Sequence, residues 1–187
     1  MDVDLIRSVL WYGRELPLME FCRLSRVPDG FRLEGSVVGS IEETPLVVLY
    51  EVSCDAAWCT RAVRVQMLSE RGDQELELAV DADRRWWRDG AEMPKLEGLV
   101  DVDLGVTPST NTLPLRRLAL RVGEAADVEA AWVKFPELHI SVLPQRYERR
   151  SAREYAYSSR SGEFRAVLDV DEDGLVATYG SYWTRID

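Results

Sequence analysis

Asp101 and Asp103 lie two residues apart in a segment where Val100, Val102 and Leu104 alternate with Leu99, Asp101 and Asp103. On an extended strand that spacing puts both carboxyl groups on one face, with Cα atoms about 6.8 Å apart. Two carboxyls so placed suit general acid–base work, and their separation overlaps that of glycosidase pairs. The same residues fit two other roles equally well. They can form the polar face of a half-solvated strand, or they can pair with Arg116, Arg117 or the arginines of the 61–66 segment, because a buried carboxylate persists only when it is paired. The spacing alone therefore assigns no catalytic residue.

His139 is the single histidine, in Pro136-Glu137-Leu138-His139-Ile140, and reads as a solvent-facing strand residue. Members of a catalytic triad assemble in space rather than in sequence, but the chain has no Gly-x-Ser-x-Gly elbow. One histidine rules out a histidine-rich zinc site, and Asp169 to Gly174 lacks the glutamate spacing of a calcium loop. That acidic run is expected to be a hairpin turn, with Gly174 supplying a positive φ. Gly35-Ser36-Val37-Val38-Gly39 lacks the Lys and Ser/Thr of a phosphate-binding loop. No metal and no cofactor are expected. Tryptophan is abundant, with six in the chain, and Trp58, Trp86, Trp87, Trp132 and Trp183 fall in or beside strands. Each suits core packing, a sugar-stacking platform or a cavity wall. Extended backbone sends neighbouring Trp86 and Trp87 to opposite faces, so one of them belongs at a surface or a pocket edge.

The elements that must position these residues are strands. From Leu33 onward the dominant period is two, in short segments separated by Gly, Pro, Asp or Ser. Strands are expected over 46–52, 62–68, 76–80, 100–104, 118–122, 128–135, 138–142, 154–158, 164–170 and 175–179. Residues 123–131 have some helical composition, yet the alternation of Val128, Ala130 and Trp132 favours a strand. Thr107 to Pro114 is the least regular stretch, a structured loop that could end in one turn around 115–118. So many short strands around one core predict an all-β domain with minor α, a single unit over 1–187. An antiparallel meander forming a wrapped or open β-barrel is the expected form. Whether its interior is packed or hollow stays open at this point.

Composition narrows the partners. The 187 residues carry 33 acidic against 23 basic side chains, a net charge of −10, which opposes nucleic-acid binding. Cys22, Cys54 and Cys59 form no Cys-x-x-Cys pair, which fits a reducing compartment. The first residues lack a basic-then-apolar leader, and no run is apolar enough to span a membrane. A soluble, cytoplasmic protein is the expectation.

The run from Leu96 to Leu118, centred on Thr107-Pro108-Ser109-Thr110-Asn111-Thr112-Leu113-Pro114, resembles the bacterial family named "putative glycolipid-binding protein". Trp58-Cys59-Thr60-Arg61, Ala130-Ala131-Trp132-Val133, Phe135-Pro136, Gln145-Arg146-Tyr147, Tyr155-Ala156-Tyr157 and Val170 to Val176 follow in the order of that family. The resemblance therefore spans nearly the whole chain. Cys59 and Ser109 depart from the pattern, standing where a varied, often basic residue and an aromatic are usual.

The resemblance implies a wrapped antiparallel sheet similar to lipoprotein carriers. The implied role is non-catalytic binding of an amphiphilic small molecule such as a glycolipid, in an apolar barrel cavity with a polar mouth. In a binder of that kind, ligand contacts are expected at Trp58, Arg61, Trp87, Asp101, Asp103, Thr107, Thr110, Asn111, Thr112, Arg116, Trp132, Gln145 and Tyr147. Two alternatives stand beside it: a hydrolase or transferase on a related lipid or sugar using Asp101 or Asp103, and a structural role for the threonine loop.

Overall fold

The computed structural model describes residues 3–186. Fifteen strands form one curled, open sheet. They are β1 (Asp4–Gly13), β2 (Leu18–Val27), β3 (Gly30–Ile41), β4 (Thr44–Asp55), β5 (Thr60–Ser69), β6 (Gln74–Val80), β7 (Trp86–Arg88), β8 (Ala91–Glu92), β9 (Asp101–Leu104), β10 (Ala125–Lys134), β11 (His139–Arg149), β12 (Glu154–Ser159), β13 (Phe164–Val170), β14 (Val176–Tyr179) and β15 (Trp183–Arg185). The order across the sheet is β8-β7-β6-β5-β4-β3-β2-β1-β15-β14-β13-β12-β11-β10-β9. Every neighbouring pair is antiparallel except β9 with β10, which runs parallel. The all-β, wrapped and open architecture is thus as the sequence implies.

Two meanders, β1 to β8 and β10 to β15, meet where β1 pairs with β15. The segment after β8 crosses to the far edge and places β9 there. The curl then brings the two halves together: the Thr60 N–H donates to the Val100 carbonyl at 2.9 Å, and Trp86 Nε1 donates to the Leu99 carbonyl at 3.0 Å. These bonds satisfy edge groups that would otherwise be buried unpaired.

Period-two alternation explains the core. Leu18, Glu20, Cys22 and Leu24 of β2 face inward while Met19, Phe21 and Arg23 face outward, and β3 to β6 repeat the pattern. β9 departs from it. Of the solvated and the paired roles open to its carboxyls, Asp101 takes the paired one and is only 1% exposed, because α1 (Thr112–Leu118) and the loop before it cover the strand from inside.

A correction concerns 118–122. Leu118 ends α1, Ala119 turns left-handed at φ 46°, and its N–H bonds the Leu115 carbonyl. Leu120 to Gly123 then form a turn held by Glu124, whose carboxylate accepts the Arg121 N–H and Nε. The apolar alternation of that stretch is spent on a helix end, with Val122 exposed. Pro114 is tolerated because it falls in the first helical turn, where the missing N–H has no acceptor within the helix. The N-terminal strands β1 and β2, outside the segments expected from the sequence, lie at the middle of the sheet order.

Among the described residues no helix is long and apolar enough to cross a membrane.

Candidate functional site

The threonine loop enters the curled sheet as a plug. Ser109, Thr110, Asn111, Thr112 and Leu113 are all buried, so the loop's polar atoms must find partners inside. Thr110 Oγ1 accepts the Leu104 N–H at 3.2 Å, and the Thr112 hydroxyl donates to the Gly174 carbonyl at 3.1 Å. Asn111 Nδ2 donates to the Pro108 carbonyl at 3.1 Å, while its Oδ1 accepts from the Tyr147 hydroxyl at 2.9 Å. These small polar side chains fasten the plug to β9, β11 and the hairpin after β13.

One flank of the plug is a sealed cluster. Glu20 Oε1 accepts hydrogen bonds from the Tyr50 hydroxyl and from Thr107 Oγ1, the latter at 2.7 Å. Ser109 Oγ lies 2.7 Å from the Tyr50 hydroxyl and 2.9 Å from Thr107 Oγ1. Glu20 is fully buried and its Oε2 has no partner. Burial drives its pKa up to about 8, with the Tyr50 and Thr107 bonds only partly opposing the rise. Glu20 is therefore a neutral acid at pH 7.

The other flank opens. A pocket of about 200 Å³ is walled by Trp132, Leu143, Tyr157, Phe164, Tyr179, Tyr182 and Trp183, with Asp103, Thr107, Asn111 and Ser159 supplying polar groups and Leu16 and Arg160 also lining it. The rings form one cluster. Tyr157 stands edge-on to Tyr179 with centroids 5.8 Å apart, Phe164 lies 5.1 Å from Tyr182, and Tyr179 lies 6.0 Å from Tyr182. Gln145 Nε2 donates to Asp103 Oδ2 at 2.6 Å and lies 2.9 Å from the Tyr157 hydroxyl. Burial raises the Asp103 pKa to about 6, and the Gln145 bond limits the rise. Burial also pushes the Tyr157 and Tyr179 phenols upward, so both are neutral in the physiological range. Gly105 leaves room at the wall, since a Cβ there would stand 2.8 Å from Trp132 Nε1.

Asp101 and Asp103 do not act as a pair. Asp101 takes a bidentate bond from Arg117, at 3.1 Å to Oδ1 and 2.5 Å to Oδ2. Burial still leaves the Asp101 pKa raised, with Arg117 opposing. Arg116 turns elsewhere: its guanidinium stacks 5.2 Å over Trp58 and reaches the Glu172 carbonyl.

The pocket thus gathers Asp103, Thr107, Asn111 and Trp132, with Gln145 and Tyr147 each one hydrogen bond behind. The remaining residues singled out from the sequence lie apart from it. Trp58 stacks on Phe31, ring centroids 3.9 Å apart, and lines a cleft of about 590 Å³ with Arg116. Arg61 pairs with Asp55 at 2.8 Å and bonds the Asp81 carbonyl. Trp87 is half-buried beside Arg85, whereas its neighbour Trp86 is fully buried. Thr110 and Thr112 spend their hydroxyls on the plug, and Asp101 spends its carboxylate on Arg117. His139 is exposed at the start of β11.

Glu20 and the rings of Phe164, Tyr179 and Tyr182 are missing from the sequence-based set. Glu20 carried a signal, because it occupies an inward position of an alternating run. Phe164 and Tyr179 come from strands, and Tyr182 from the turn after β14, whose placement across the sheet is not written in local spacing.

The interior is neither an empty barrel nor solid. It is filled over most of its length by the plug and α1, leaving the aromatic pocket beside Thr107 and Asn111. A larger cleft of about 860 Å³ shares Ser159 with this pocket, but its lining includes Arg117, Asp127, Glu129, Arg146 and Arg165 and no aromatic side chain. An aromatic wall with a few converging polar groups is the commoner form of a small-molecule site.

A curled, open, mostly antiparallel sheet plugged by a threonine loop, with one ring-lined pocket, defines the structural class of this molecule. The chain belongs to the family described as "Putative glycolipid-binding", whose model matches residues 8–185. It is similar to a DUF1089 family protein of Pseudomonas aeruginosa known from a crystal structure, with 33% identity, 89% of this chain and 92% of that chain covered, and a TM-score of 0.81. No curated protein matches the chain.

Proposed function

We propose that this protein binds a glycolipid-like amphiphile without chemically changing it, acting as a single domain over 1–187. The polar head sits in the aromatic pocket, with Asp103, Thr107, Asn111 and Trp132 as contacts and Gln145 and Tyr147 holding them in place. The observation that carries this reading is the pocket itself: rings on most sides and a few oriented polar groups at one. Its volume of about 200 Å³ equals six or seven waters at roughly 30 Å³ each. That is room for a sugar ring but not for a long acyl chain.

The tail accordingly stays outside the interior. Leu16, at the pocket, is exposed, and the outer face beginning beside it carries Tyr12 opposite Met19 and Met19 opposite Val38. Phe21 and Leu49 form the next row around Ser36. An apolar tail covering these side chains gains about 25 cal/mol per Å² removed from water. The buried free thiols Cys22, Cys54 and Cys59 fit a cytoplasmic setting, which we include in the reading. Hydrolysis or transfer by Asp101 with Asp103 draws no support from their arrangement, because Asp101 gives both oxygens to Arg117.

Native mass spectrometry of freshly purified protein tests the proposal. An adduct that dissociates as an intact glycolipid is the expected result. Protein free of any adduct that also fails to bind octyl glycosides, neutral or amino-substituted, would overturn it.

A further inference from the structure

Asp103 differs in its partners from the carboxylates that are paired with arginine, and differs from the sealed Glu20 in bordering a pocket. Asp55 has Arg61 and Arg84, Asp101 has Arg117, and Asp171 has Arg7 and Arg185. Among the described residues no basic side chain lies within ion-pair distance of Asp103. Its one hydrogen bond, from Gln145, goes to Oδ2, which leaves Oδ1 to the pocket. Arg160 and Lys134 are nearby cations, but each is held over the Trp132 ring, at 4.8 and 4.5 Å.

The walls beside that carboxyl are ring faces and edges of Tyr157, Phe164, Tyr179 and Tyr182. Aromatic faces carry negative potential and attract a desolvated cation within about 6 Å. A carboxylate removed from water, with no countercharge in the protein, is costly until a cation supplies one. Both features favour the same ligand chemistry, and neither is satisfied by a hydroxyl as well as by an ammonium.

We propose that the head group taken by this pocket carries a protonated amino group, seated between Asp103 and the ring cluster, as in an amino sugar. The inference rests on the pocket being the head-group site, and it specifies which heads that site selects. The amine donates its N–H bonds to Asp103 Oδ1 and presents its charge to the rings. Asn111, whose amide keeps one N–H beyond its bond to Pro108, is left for a hydroxyl group of the same sugar, while Thr107 lines the wall.

Isothermal titration of the full chain at pH 7.0 tests this with three probes below their micellar concentrations: octyl β-glucoside, octyl 2-amino-2-deoxyglucoside and the N-acetylated form of the latter. The amino probe should bind at least tenfold more tightly than the other two, and Asp103→Asn should bring the ratio to within twofold of one. Should that variant fold poorly, the wild-type protein at pH 5.0 replaces it. Protonation of Asp103 there should abolish the preference, because burial pushes the Tyr147, Tyr157 and Tyr179 phenols upward and so keeps them neutral throughout that interval. Equal binding of amino and hydroxyl probes, or a preference that survives the loss of the Asp103 charge, overturns the amine inference and leaves the head-group site standing. Binding of none of the three overturns both.

Discussion

Two polar clusters flank the threonine loop, one of Glu20, Tyr50 and Ser109 and the other of Asp103, Gln145 and Tyr157. Both place a carboxyl group among tyrosines, and both raise its pKa by burial. They differ in access. Glu20 lies beneath the plug with no route to solvent, titrates near pH 8, and is therefore a neutral hydrogen-bonding part of the core. Asp103 borders a pocket, has its pKa raised to about 6, and is therefore largely ionised at neutral pH, with no basic side chain among the described residues within ion-pair distance. A polar network that is closed on itself stabilises a fold, whereas the same chemistry left open on one side offers a ligand something to complete.

The largest loss is expected where a carboxylate is paired rather than sealed or open. Asp101→Ala, which leaves Arg117 at the wall of the larger cleft without its carboxylate, is expected to cost about 1.5–3 kcal/mol in urea denaturation. Replacing both partners by apolar residues should cost much less than that single change. Gly35→Ala comes next. A Cβ there falls 2.2 Å from the Tyr50 ring, so the ring must move off Glu20 and Ser109, at about 1–3 kcal/mol by the same measurement.

Glu20→Gln sharpens the comparison through pH. The folded protein holds the Glu20 proton up to about pH 8, while the unfolded chain releases it near 4.5, so the native state binds more protons between these values. Stability then falls as pH rises through that window, by up to about 1.4 kcal/mol per pH unit. Asp103 contributes in the same direction only up to about pH 6. The Gln variant should therefore flatten the dependence between pH 6 and 8, as read from denaturation midpoints. The smallest effect on stability is expected on the open side. Asp103→Asn should leave the melting temperature at pH 8 unchanged or slightly raised, since it removes a buried charge, while losing amine binding. A large drop in melting temperature would place Asp103 among the structural groups and erase the distinction.

Much of the fold was legible because strands announce themselves by alternation. The segments around Val48, Val65, Leu78, Val133, Tyr157 and Leu168 all read correctly from their period of two. The acidic hairpin did too, with Asp171 Oδ1 accepting the Asp173 and Leu175 N–H groups and Gly174 at φ 83°. Leu118 to Val122 misled because three alternating apolar residues are also what a short helix end and the following turn leave behind. Asp101 and Asp103 were visible as a pair of carboxyls on one strand. Their separate fates were not, because Arg117 arrives from α1 and Gln145 from β11, and local spacing carries no information about either arrival.

Residue types and their order determined an all-β chain with a proline-punctuated threonine loop inside it, since hydrophobic period and backbone restriction are local properties, and the motifs along the chain carried the family resemblance. Which carboxyl is sealed, which is paired and which faces a ring-lined hollow were decided only when the sheet curled. That curl sets strands distant in sequence side by side and determines, atom by atom, where water is excluded.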